Sequence, residues 1–473
     1  MIKHIQIFLL LISGGTTAIS QETAAPDLSE DAIAAINVIT EARVLSTISF
    51  LASDEMAGRD TPSPELRIAS QYVAARFRGA GLEGAGPDGS YFQIHQLVTT
   101  MPPEQEAVLS EVSGETISAL GLLAGSPEAI NLTATVMKES AARKADVAEI
   151  VCLDTLHVPP QAAERPQFVL ATVARRIRAF KEKKTKVVLI PCDDDSILPQ
   201  IAERLLQKSL FLKDGLKPEC AVVLVSSDTN PVGKELSIQV AAQREVQNSV
   251  RNVVGILRGS DPKLSQQAVL ISAHLDHIGV RSYGDDRINN GADDNATGVT
   301  TVVSLADAFA SLKTKPRRSI VFVTFWGEEK GLLGSKHFAD NPLWPLSKIV
   351  ANINIEMVGR PEQDAREKAW MTGWKHSNLG PIMNSGSQRV GVEIFNRTDV
   401  GEMLYARSDN YSFVRKGVVA HSFSAGSLHA DYHQPSDEWE KLDIPHMTKV
   451  IQGLFAGALF VAETSDTPTA SEK

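Results

Sequence analysis

The stretch AVLISAHLDH, residues 268–277, determines how the rest of this chain is interpreted. Its first six residues are small or apolar, which is typical of a strand buried on both faces of a parallel sheet. The strand is followed at once by His274 and Asp276, and polar groups in such a place are costly unless they are compensated. The stretch therefore predicts a buried strand with a polar site at its carboxyl end.

Outward from this strand, short apolar runs alternate with amphipathic segments. Thr297 to Leu312 places its apolar side chains on one helical face. Buried strands separated by such helices predict an α/β fold with a largely parallel, mixed central sheet flanked by helices. The other predicted elements of this half are strands at Ser319 to Phe325, Ile349 to Ile355 and Val418 to Phe423, and a closing helix at Ile444 to Val461.

The chain is long enough for about two to three domains. The pattern of apolar and charged residues changes along its length. Helices are predicted near Ala32 to Leu51 and at Leu66 to Arg78. Between about 105 and 245, short β-rich runs alternate with charged helical stretches such as Arg175 to Lys184, which predicts an inserted smaller α/β domain. The predicted division is a signal peptide at 1–20, an N-terminal part of the main domain at 21–105, the inserted domain at 106–245, the main part at 246–463 and a disordered tail at 464–473.

The first twenty residues indicate export. Lys3 and His4 precede an apolar run, Ile5 to Ile12, and Ala18-Ile19-Ser20 has the small-x-small form of a cleavage site. The run is far shorter than the roughly 20 residues that span a bilayer. We expect a cleavable signal peptide and a periplasmic or secreted protein with no stable membrane insertion afterwards; a frayed N-terminus or a short uncleaved anchor is the alternative.

The net charge limits the kinds of partner that this chain would bind, and the cysteine pattern limits the residue types that could bind a metal. The formal net charge of -10 disfavours nucleic acid or an anionic membrane surface as the main partner, because both reward clustered Lys and Arg. Cys152, Cys192 and Cys220 lack the CxxC spacing of a zinc or redox site, so we interpret them as structural, with at most one disulfide. Any metal site must therefore use His, Asp and Glu.

Residues that can bind metal ions recur where the predicted strands end. In open α/β sheets, ligands bind at the carboxyl ends of the strands, so residues far apart in sequence can meet at one edge. The candidates are His274 and Asp276 after the first strand, Asp293 and Asp294 in a turn before a helix, Glu328 and Glu329 after the second strand, Glu356 at the end of the third, and His433 in a loop after the fourth.

The available donors are imidazole nitrogens and carboxylate oxygens, which suit zinc in a hydrolytic site. Two adjacent zinc ions need about three protein ligands each, and one carboxylate can bridge them. One ion could take His274 and Glu356, and the other Glu329 and His433, with Asp294 between them. The sequence therefore predicts two Zn²⁺ ions per chain.

Three further residues can support these ions and the chemistry. Asp276 lies two residues beyond His274, on the same side of an extended chain, so it can accept the other imidazole N–H. Glu328 and Glu329 are neighbours with diverging side chains, so one can bind metal while the other exchanges protons with metal-bound water. Tyr432 could donate a hydrogen bond to the oxyanion of a tetrahedral intermediate.

Each residue also has a purely structural interpretation. Asp293 and Asp294 could cap a helix, and Glu328 and Glu329 could complement a helix dipole. The joint arrangement favours a functional site, because acidic residues that interrupt several apolar runs are costly unless compensated. Among the remaining histidines, we interpret His277 and His337 as structural, and His421 and His429 as candidates for lining a pocket.

Five segments of the chain resemble one known family. In their order they resemble the bimetallic zinc exopeptidases of peptidase family M28, which include bacterial secreted aminopeptidases, glutamate carboxypeptidase II and the glutaminyl cyclases. The resemblance covers about residues 45–100 and 250–460, and LASDEMAGRDTPSPE (51–65) resembles the lead-in of bacterial members. The five segments are AHLDHIG (273–279), GADDNATG (291–298), WGEEKGLLGS (326–335), INIEMVGR (353–360) and DYHQPSDEWEK (431–441).

The resemblance implies the zinc exopeptidase fold and a role for each candidate. It also implies a cis peptide bond between Asp294 and Asn295, and a middle region where many members carry a protease-associated insert. The implied roles are zinc ligands for His274, Asp294, Glu329, Glu356 and His433, with Asp294 as the bridge, an orienting role for Asp276, and the general base for Glu328.

The resemblance implies an aminopeptidase that acts on peptides through a metal-activated bridging water and a glutamate base. Many aminopeptidase members carry Asp where this chain has Glu356, so a carboxypeptidase is an alternative. A glutaminyl cyclase is a second alternative, but cyclases use one zinc and lack a ligand that is present here. A non-catalytic binding relative should have lost ligands or the base, and Glu328 argues against it. The sequence does not indicate the oligomeric state.

Overall fold

The computed structural model describes residues 28–101, 107–117, 119–124, 126, 128–156, 176–177, 180, 184–192, 210–212, 220–242, 244–281, 284–362, 365–426 and 428–471. The expected signal peptide and most of the expected helical stretch Arg175 to Lys184 lie outside these residues. The described residues form two β-sheets and the helices that pack on them.

The larger sheet has ten strands and carries the main core. Its order is β17-β16-β18-β15-β13-β14-β12-β2-β9, and β1 also pairs with β12. The strands are β1 (Glu83–Gly84), β2 (Phe92–Met101), β9 (Leu210–Leu212), β12 (Arg244–Leu257), β13 (Ala268–His274), β14 (Ser319–Phe325), β15 (Ile349–Ile355), β16 (Lys368–Met371), β17 (Glu393–Asn396) and β18 (Ala420–Ser424).

The centre of this sheet is parallel and buried on both faces. β13 pairs in parallel with β14 and β15, and β15 pairs in parallel with β18. Every residue of β13, β14 and β15 is buried, which explains why these strands show continuous apolar runs rather than alternation. Because His274 and Phe325 are paired at the ends of β13 and β14, the residues that follow both strands emerge at one edge. The predicted α/β class is confirmed.

Helices cover the two faces of the larger sheet. Val269 and Ile271 pack with the helices of one core, whereas Leu270 and Val321 pack in a separate core on the other face. The result is a sheet between two helical layers. The helices described in the chain are α1 (Glu30–Ile36), α2 (Glu41–Leu51), α3 (Pro64–Gly79), α4 (Glu139–Ala142), α5 (Thr297–Ser311), α6 (Leu333–Asp340), α7 (Leu379–Ser387), α8 (Gly401–Leu404), α9 (Asn410–Val414) and α10 (Ile444–Glu463), of which α4 belongs to the middle region and packs in one of its cores.

Two expectations for the termini need correction. The single helix expected near Ala32 to Leu51 is two helices, because the Thr40 side chain accepts a hydrogen bond from the Arg43 N–H and starts α2 anew. The disordered tail expected at 464–473 does not hold for residues 464–471, where Ala470 pairs with Ser377 in an isolated bridge. This bridge fixes the end of the chain beside the start of α7.

The second sheet has eight strands from the middle region and cores of its own. Its order is β4-β3-β11-β6-β7-β8-β10-β5. One strand of the middle region, β9, instead joins the larger sheet beside β2, so the region is not wholly separate. The expected domain boundaries stay a prediction. The eight strands are β3 (Val108–Glu111), β4 (Thr116–Ile117), β5 (Ala119–Ala124), β6 (Ile130–Lys138), β7 (Ile150–Cys152), β8 (Val187–Cys192), β10 (Ala221–Ser226) and β11 (Glu235–Val240).

Among the described residues, α10 alone is a single helix of the length and apolar character needed to cross a membrane. Most of its apolar window, 72%, is buried inside the protein. Its side chains, including Leu454 and Phe455, belong to the main core. Its apolar character is therefore accounted for by packing against the sheet and its neighbouring helices.

Candidate metal centre

The candidate site lies at the carboxyl edge of the parallel strands. His274 is the last residue of β13, and Glu356 directly follows β15. Glu329 lies in the turn after β14, and Asp294 lies in the turn that leads into α5. Asp294 is joined to Asn295 by a cis peptide bond, as the resemblance implies. The strand ends and the turns thus bring residues from four segments to one place.

Two sets of side chains in the described part of the chain are spaced to hold a metal ion. Each residue offers one ligand atom, and within a set these atoms lie within 4.8 Å of one another. We name them the first group, which comprises His274, Asp294 and Glu356, and the second group, which comprises His277, Asp294, Glu329 and His433.

Asp294 belongs to both groups, and each of its carboxylate oxygens faces a different one. Its Oδ1 lies 3.3 Å from Nε2 of His274 in the first group. Its Oδ2 lies 3.1 Å from Nε2 of His433 in the second group. The Asp294 side chain is only 5% exposed, so water does little to screen its charge from the groups around it. This is the geometry that a carboxylate needs to bridge two neighbouring cations.

The proton positions in the first group fit a bound cation. Nδ1 of His274 lies 3.0 Å from the main-chain oxygen of Asp276, which can only accept a hydrogen bond, so Nδ1 carries a proton. In the neutral ring, the Nε2 lone pair then faces Glu356 Oε2 at 3.2 Å as well as Asp294. Electron pairs that face one another across this distance need a positive charge between them, which a proton or a metal ion can supply.

The second group fits a bound cation for a similar reason. Nε2 of His433 lies 3.1 Å from Asp294 and 3.3 Å from Glu329 Oε2, yet it makes a hydrogen bond with no described residue. A nitrogen that lies this close to two carboxylate oxygens without bonding either is expected where a metal ion is shared. Nitrogen and oxygen donors without a thiolate suit zinc.

The site contains more carboxylates than positively charged groups, and their negative charge stabilises any cation that binds there. Burial opposes protonation of His274, but the charges of Glu356 and Glu328 outweigh it, so the pKa of His274 lies well above its usual value. Burial likewise opposes protonation of His433, but the Asp294 and Glu329 carboxylates raise its pKa to about 10. Divalent cations can supply the same positive charge.

Glu328 lies in the site but belongs to neither group. Burial raises the pKa of Glu328 well above its usual value, and the charge of Glu329 adds to this effect. Its carboxylate lines the same cavity as Glu329 and Glu356. A carboxylate with a raised pKa that is free of the metal groups is suited to taking up and releasing a proton.

Asp276 lies beside the His274 ring as expected, but the atom within hydrogen-bond distance is its main-chain oxygen, whereas its carboxylate oxygen Oδ1 lies 3.9 Å from His274 Nδ1. The main-chain oxygen of Asp276 accepts from the His274 ring just beyond the end of β13. The Asp276 carboxylate instead accepts from the Thr61 hydroxyl at 3.0 Å and from the Glu328 N–H at 3.1 Å. Asp276 therefore orients the His274 ring through its main-chain oxygen, and it holds the turn with Glu328 and Glu329 through its carboxylate.

His277, which the sequence analysis interpreted as structural, lies in the second group beside two candidate ligands. Its Nδ1 lies 2.9 Å from Glu329 Oε1 and 3.9 Å from Asp294 Oδ2. Its Nε2 makes a hydrogen bond with none of the described residues. The segment AHLDHIG contained a signal, since it places a second histidine three residues after His274. His337 lies on α6 away from both groups, next to Asn341.

Sequence reasoning also missed the residues that hold the ligands. Glu356 Oε1 accepts hydrogen bonds from the Ser408 hydroxyl and, at 3.0 Å, from the Asn354 side chain. Asp437 is fully buried and accepts from the N–H of Asp293 and of Asp294 at 3.1 Å each. Asp437 lies four residues after His433, so it ties the loop of one ligand to the turn of another.

A cavity of about 480 Å³ opens onto both groups. Its walls include the apolar side chains of Trp370, Leu404 and Leu428. Tyr432 also lines it and stacks on His433, with 3.9 Å between ring centroids. Burial raises the pKa of Tyr432 above its usual value, so the phenol stays protonated and can donate. A substrate of peptide size can therefore reach both groups together with a hydrogen-bond donor.

His421 and His429, expected as pocket-lining candidates, do not lie among the residues that line this cavity. His421 is buried and bonds to the Ser377 hydroxyl and the Thr372 main chain. His429 Nε2 lies 3.2 Å from the carboxylate of Asp293, the residue before Asp294.

A parallel α/β sheet that carries two metal groups around one shared carboxylate defines a candidate dinuclear metal centre. Residues 252–457 match the family model described as Peptidase family M28. The resemblance noted in the sequence motifs is thereby confirmed for this part of the chain.

Individual relatives agree with this match. The chain is 25% identical over 264 residues to aminopeptidase YwaD of Bacillus subtilis, which covers 54% of this chain and 53% of that protein. It is 27% identical over 248 residues to a probable glutamate carboxypeptidase of Arthroderma benhamiae, which covers 48% of this chain and 32% of that protein. The chain thus spans about half or less of the length of these curated relatives.

A solved structure supports the fold. The aminopeptidase from Aneurinibacillus sp. strain AM-1 superposes with a TM-score of 0.57 at 19% sequence identity. The superposition covers 91% of this chain and 96% of that one. The shared architecture therefore extends beyond the segment that matches the family model.

Proposed function

We propose that this protein is a zinc-dependent exopeptidase that removes amino-terminal residues from peptides. The observation that carries the proposal is Asp294, whose two oxygens face the first and the second group respectively. A shared carboxylate between two sets of nitrogen and oxygen donors is the arrangement of two-metal hydrolytic sites. The match to Peptidase family M28 supports the same chemistry.

We propose that one zinc ion is held by His274 and Glu356 and the other by Glu329 and His433, with Asp294 between them. His277 adds a further side chain to the second group. When bound, zinc polarises a carbonyl group and lowers the pKa of a bound water. The proposed ligand set is supported by the atom spacings within the two groups and by their demand for positive charge.

The protein side chains would then divide the remaining work. Glu328, which neither group uses, accepts the proton of the attacking water and delivers it to the leaving amine. The Tyr432 hydroxyl donates a hydrogen bond to the oxygen that becomes negatively charged in the tetrahedral intermediate. Asp276 holds the His274 ring through its main-chain oxygen and the Glu328 turn through its carboxylate.

The end of the peptide that is cut distinguishes two candidate functions. Carboxylates that line the cavity, such as Glu328 and Glu356, favour a positively charged amino terminus, which supports the aminopeptidase. Lys336 and Arg407 also line the cavity and would attract a carboxyl terminus, which favours a carboxypeptidase as the second candidate. The named relatives include both types.

We further propose that the protein is exported, on the strength of its first twenty residues. The middle region, residues 106–245, is proposed to act as an inserted domain that shapes access to the cavity. Its separate cores support this division, whereas β9 ties it to the larger sheet.

Two measurements test the function. We expect purified protein to contain about two zinc ions per chain by mass spectrometry of the metal, and to lose activity on chelation until zinc is restored. Digestion of a peptide library should shorten peptides from the amino terminus; shortening from the other end would select the carboxypeptidase. Protein that binds no zinc and cuts no peptide in its presence would overturn both candidates.

A further inference from the structure

A short segment near the amino terminus, Gly58–Thr61, forms hydrogen bonds with the segments that carry the two groups. We call it the strap. It lies outside residues 252–457, which match the family model, yet Arg59 is 1% exposed and Thr61 is fully buried. Burial of a charged and a hydroxyl side chain is costly unless each polar atom has a partner. Apart from Leu51 on α2, the partners of both side chains lie in the segments that carry the proposed ligands.

Arg59 joins three separate segments through main-chain oxygens. Its Nε donates to Leu275 at 3.0 Å, one residue after the proposed ligand His274. Its two terminal nitrogens donate to Asn290 at 2.9 Å and to Gly291 at 3.0 Å, in the turn that leads to Asp294. One of them also donates to Leu51 at the end of α2.

These contacts require arginine rather than any cation. The guanidinium group is planar and offers five N–H donors in a fixed fork, whereas an ammonium group is a compact point charge with three donors. A lysine at this place could keep the charge but could not reach carbonyl oxygens on opposite sides. Burial lowers the pKa of Arg59 to about 10 against the opposing effect of nearby carboxylates such as Asp276, so the strap also places a positive charge near the site at neutral pH.

Thr61 joins two further parts of the site. Its hydroxyl donates to Asp276 Oδ2 at 3.0 Å and accepts from the Gly327 N–H at 3.1 Å. The other oxygen of Asp276 accepts from the Glu328 N–H at 3.1 Å. Thr61 and Asp276 together therefore fix the loop after β13 against the turn that carries Glu328 and Glu329.

We infer that Arg59 and Thr61 are positioning residues that set the spacing of the metal ligands, so the metal site is complete only with the strap. The inference rests on the proposed zinc site. Groups that orient metal ligands typically change metal affinity or activity by ~10-fold to ~100-fold when they are lost.

The sharpest test compares Thr61→Val with Thr61→Ser. Valine keeps the shape of threonine but removes the hydroxyl, whereas serine keeps the hydroxyl. We expect Thr61→Val to lower zinc affinity ~10-fold or more in competition with a chromophoric chelator. We also expect it to alter the visible absorption spectrum of the cobalt-loaded protein. Thr61→Ser should restore both, which a loss of packing alone would not allow.

Arg59→Lys provides a second route that does not depend on Thr61. We expect zinc affinity to fall by ~10-fold to ~100-fold although the charge is kept. Arg43→Met is the matched control, because Arg43 is an exposed arginine on α2, and it should behave as the parent protein. Thermal unfolding of each metal-free variant shows whether the fold is retained.

The outcomes separate the two proposals. A parent protein that binds no zinc overturns both the function and the strap. A parent protein that binds zinc, with Thr61→Val and Arg59→Lys matching it in affinity and in cobalt spectrum, overturns the strap alone. Should Thr61→Val fail to fold, a wild-type zinc affinity in Arg59→Lys would still contradict the inference.

Discussion

The first and second groups share Asp294 but differ in how the chain holds them. The first group takes its other side chains from strand ends, since His274 closes β13 and Glu356 follows β15. The second group takes its other three side chains from loops, and His433 keeps 28% of its side chain exposed. The first group thus has fewer side chains, and they are held by strand ends, which are rigid. The second group has more side chains, and they are held by loops, which are more mobile in general.

This difference bears on how the two ions would be used. A zinc ion with three protein ligands keeps a position open for water or substrate, whereas a fourth protein ligand tends to close it. His277 is the side chain that makes the second group larger. We therefore expect the two sites to differ in zinc affinity, with the second group binding more tightly.

The largest effect should come from Asp294→Ala, because this change removes the one side chain that both groups share. We expect the loss of both zinc ions and a fall in peptide hydrolysis of roughly 10⁴-fold or more. Zinc per chain and turnover are the measurements, and Asp285→Ala on an exposed loop is the control. If one ion were retained, one group would be sufficient without the shared carboxylate.

Glu328→Gln should separate catalysis from metal binding. Because Glu328 belongs to neither group, we expect kcat to fall roughly 10²-fold to 10⁴-fold while zinc content stays at the parent value. Glu329→Gln is the matched comparison, since it should lose the ion of the second group. A loss of zinc from Glu328→Gln would mean that the two glutamates exchange roles.

His277→Asn should make the second group resemble the first. We expect the tighter of two zinc-binding steps to weaken about 10-fold, with the other step unchanged, as seen in a calorimetric titration. His337→Asn, on α6 and outside both groups, should leave both steps as they are. Equal weakening of both steps would show that His277 does not belong to one group.

Ser408→Ala should give the smallest effect and touch only the first group. It removes one of two hydrogen bonds to Glu356 Oε1, while Asn354 keeps the other. The expected loss is about 1 kcal/mol, or roughly fivefold in zinc affinity at the first group. Ser385→Ala, an exposed serine on α7, is the control, and a loss at the second group would contradict the assignment.

The sequence allowed prediction of the strands and of the residues that follow them, because burial on both faces leaves a continuous apolar run that ends at the site. β14 and β15 have the bounds expected from their runs. The division of Ala32 to Leu51 into two helices was missed, because a single Thr40 cap decides it.

The parts of the site that were missed share one physical cause. Ser408 and Asp437 act from positions 52 and 143 residues away from the groups they hold, and such pairings depend on the tertiary fold. His277 and the Asp276 carboxylate lie beyond the end of β13, where alternation along a strand no longer tells which way a side chain points. The ligand roles themselves stay a prediction until metal is measured.

The long ribbon formed by β2 and β12 has a consequence for how this protein could change over time. The chain leaves the larger sheet at Met101 and returns at Arg244, and these residues face each other as a pair in the antiparallel ribbon. A two-residue hairpin turn could in principle join them without altering the register of either strand. The region between them could therefore be exchanged at little geometric cost to the half that carries the two groups, apart from the edge strand β9. Under the proposed role of this region, access to the cavity could then vary by replacing one module while the strand ends next to the two groups remain as they are.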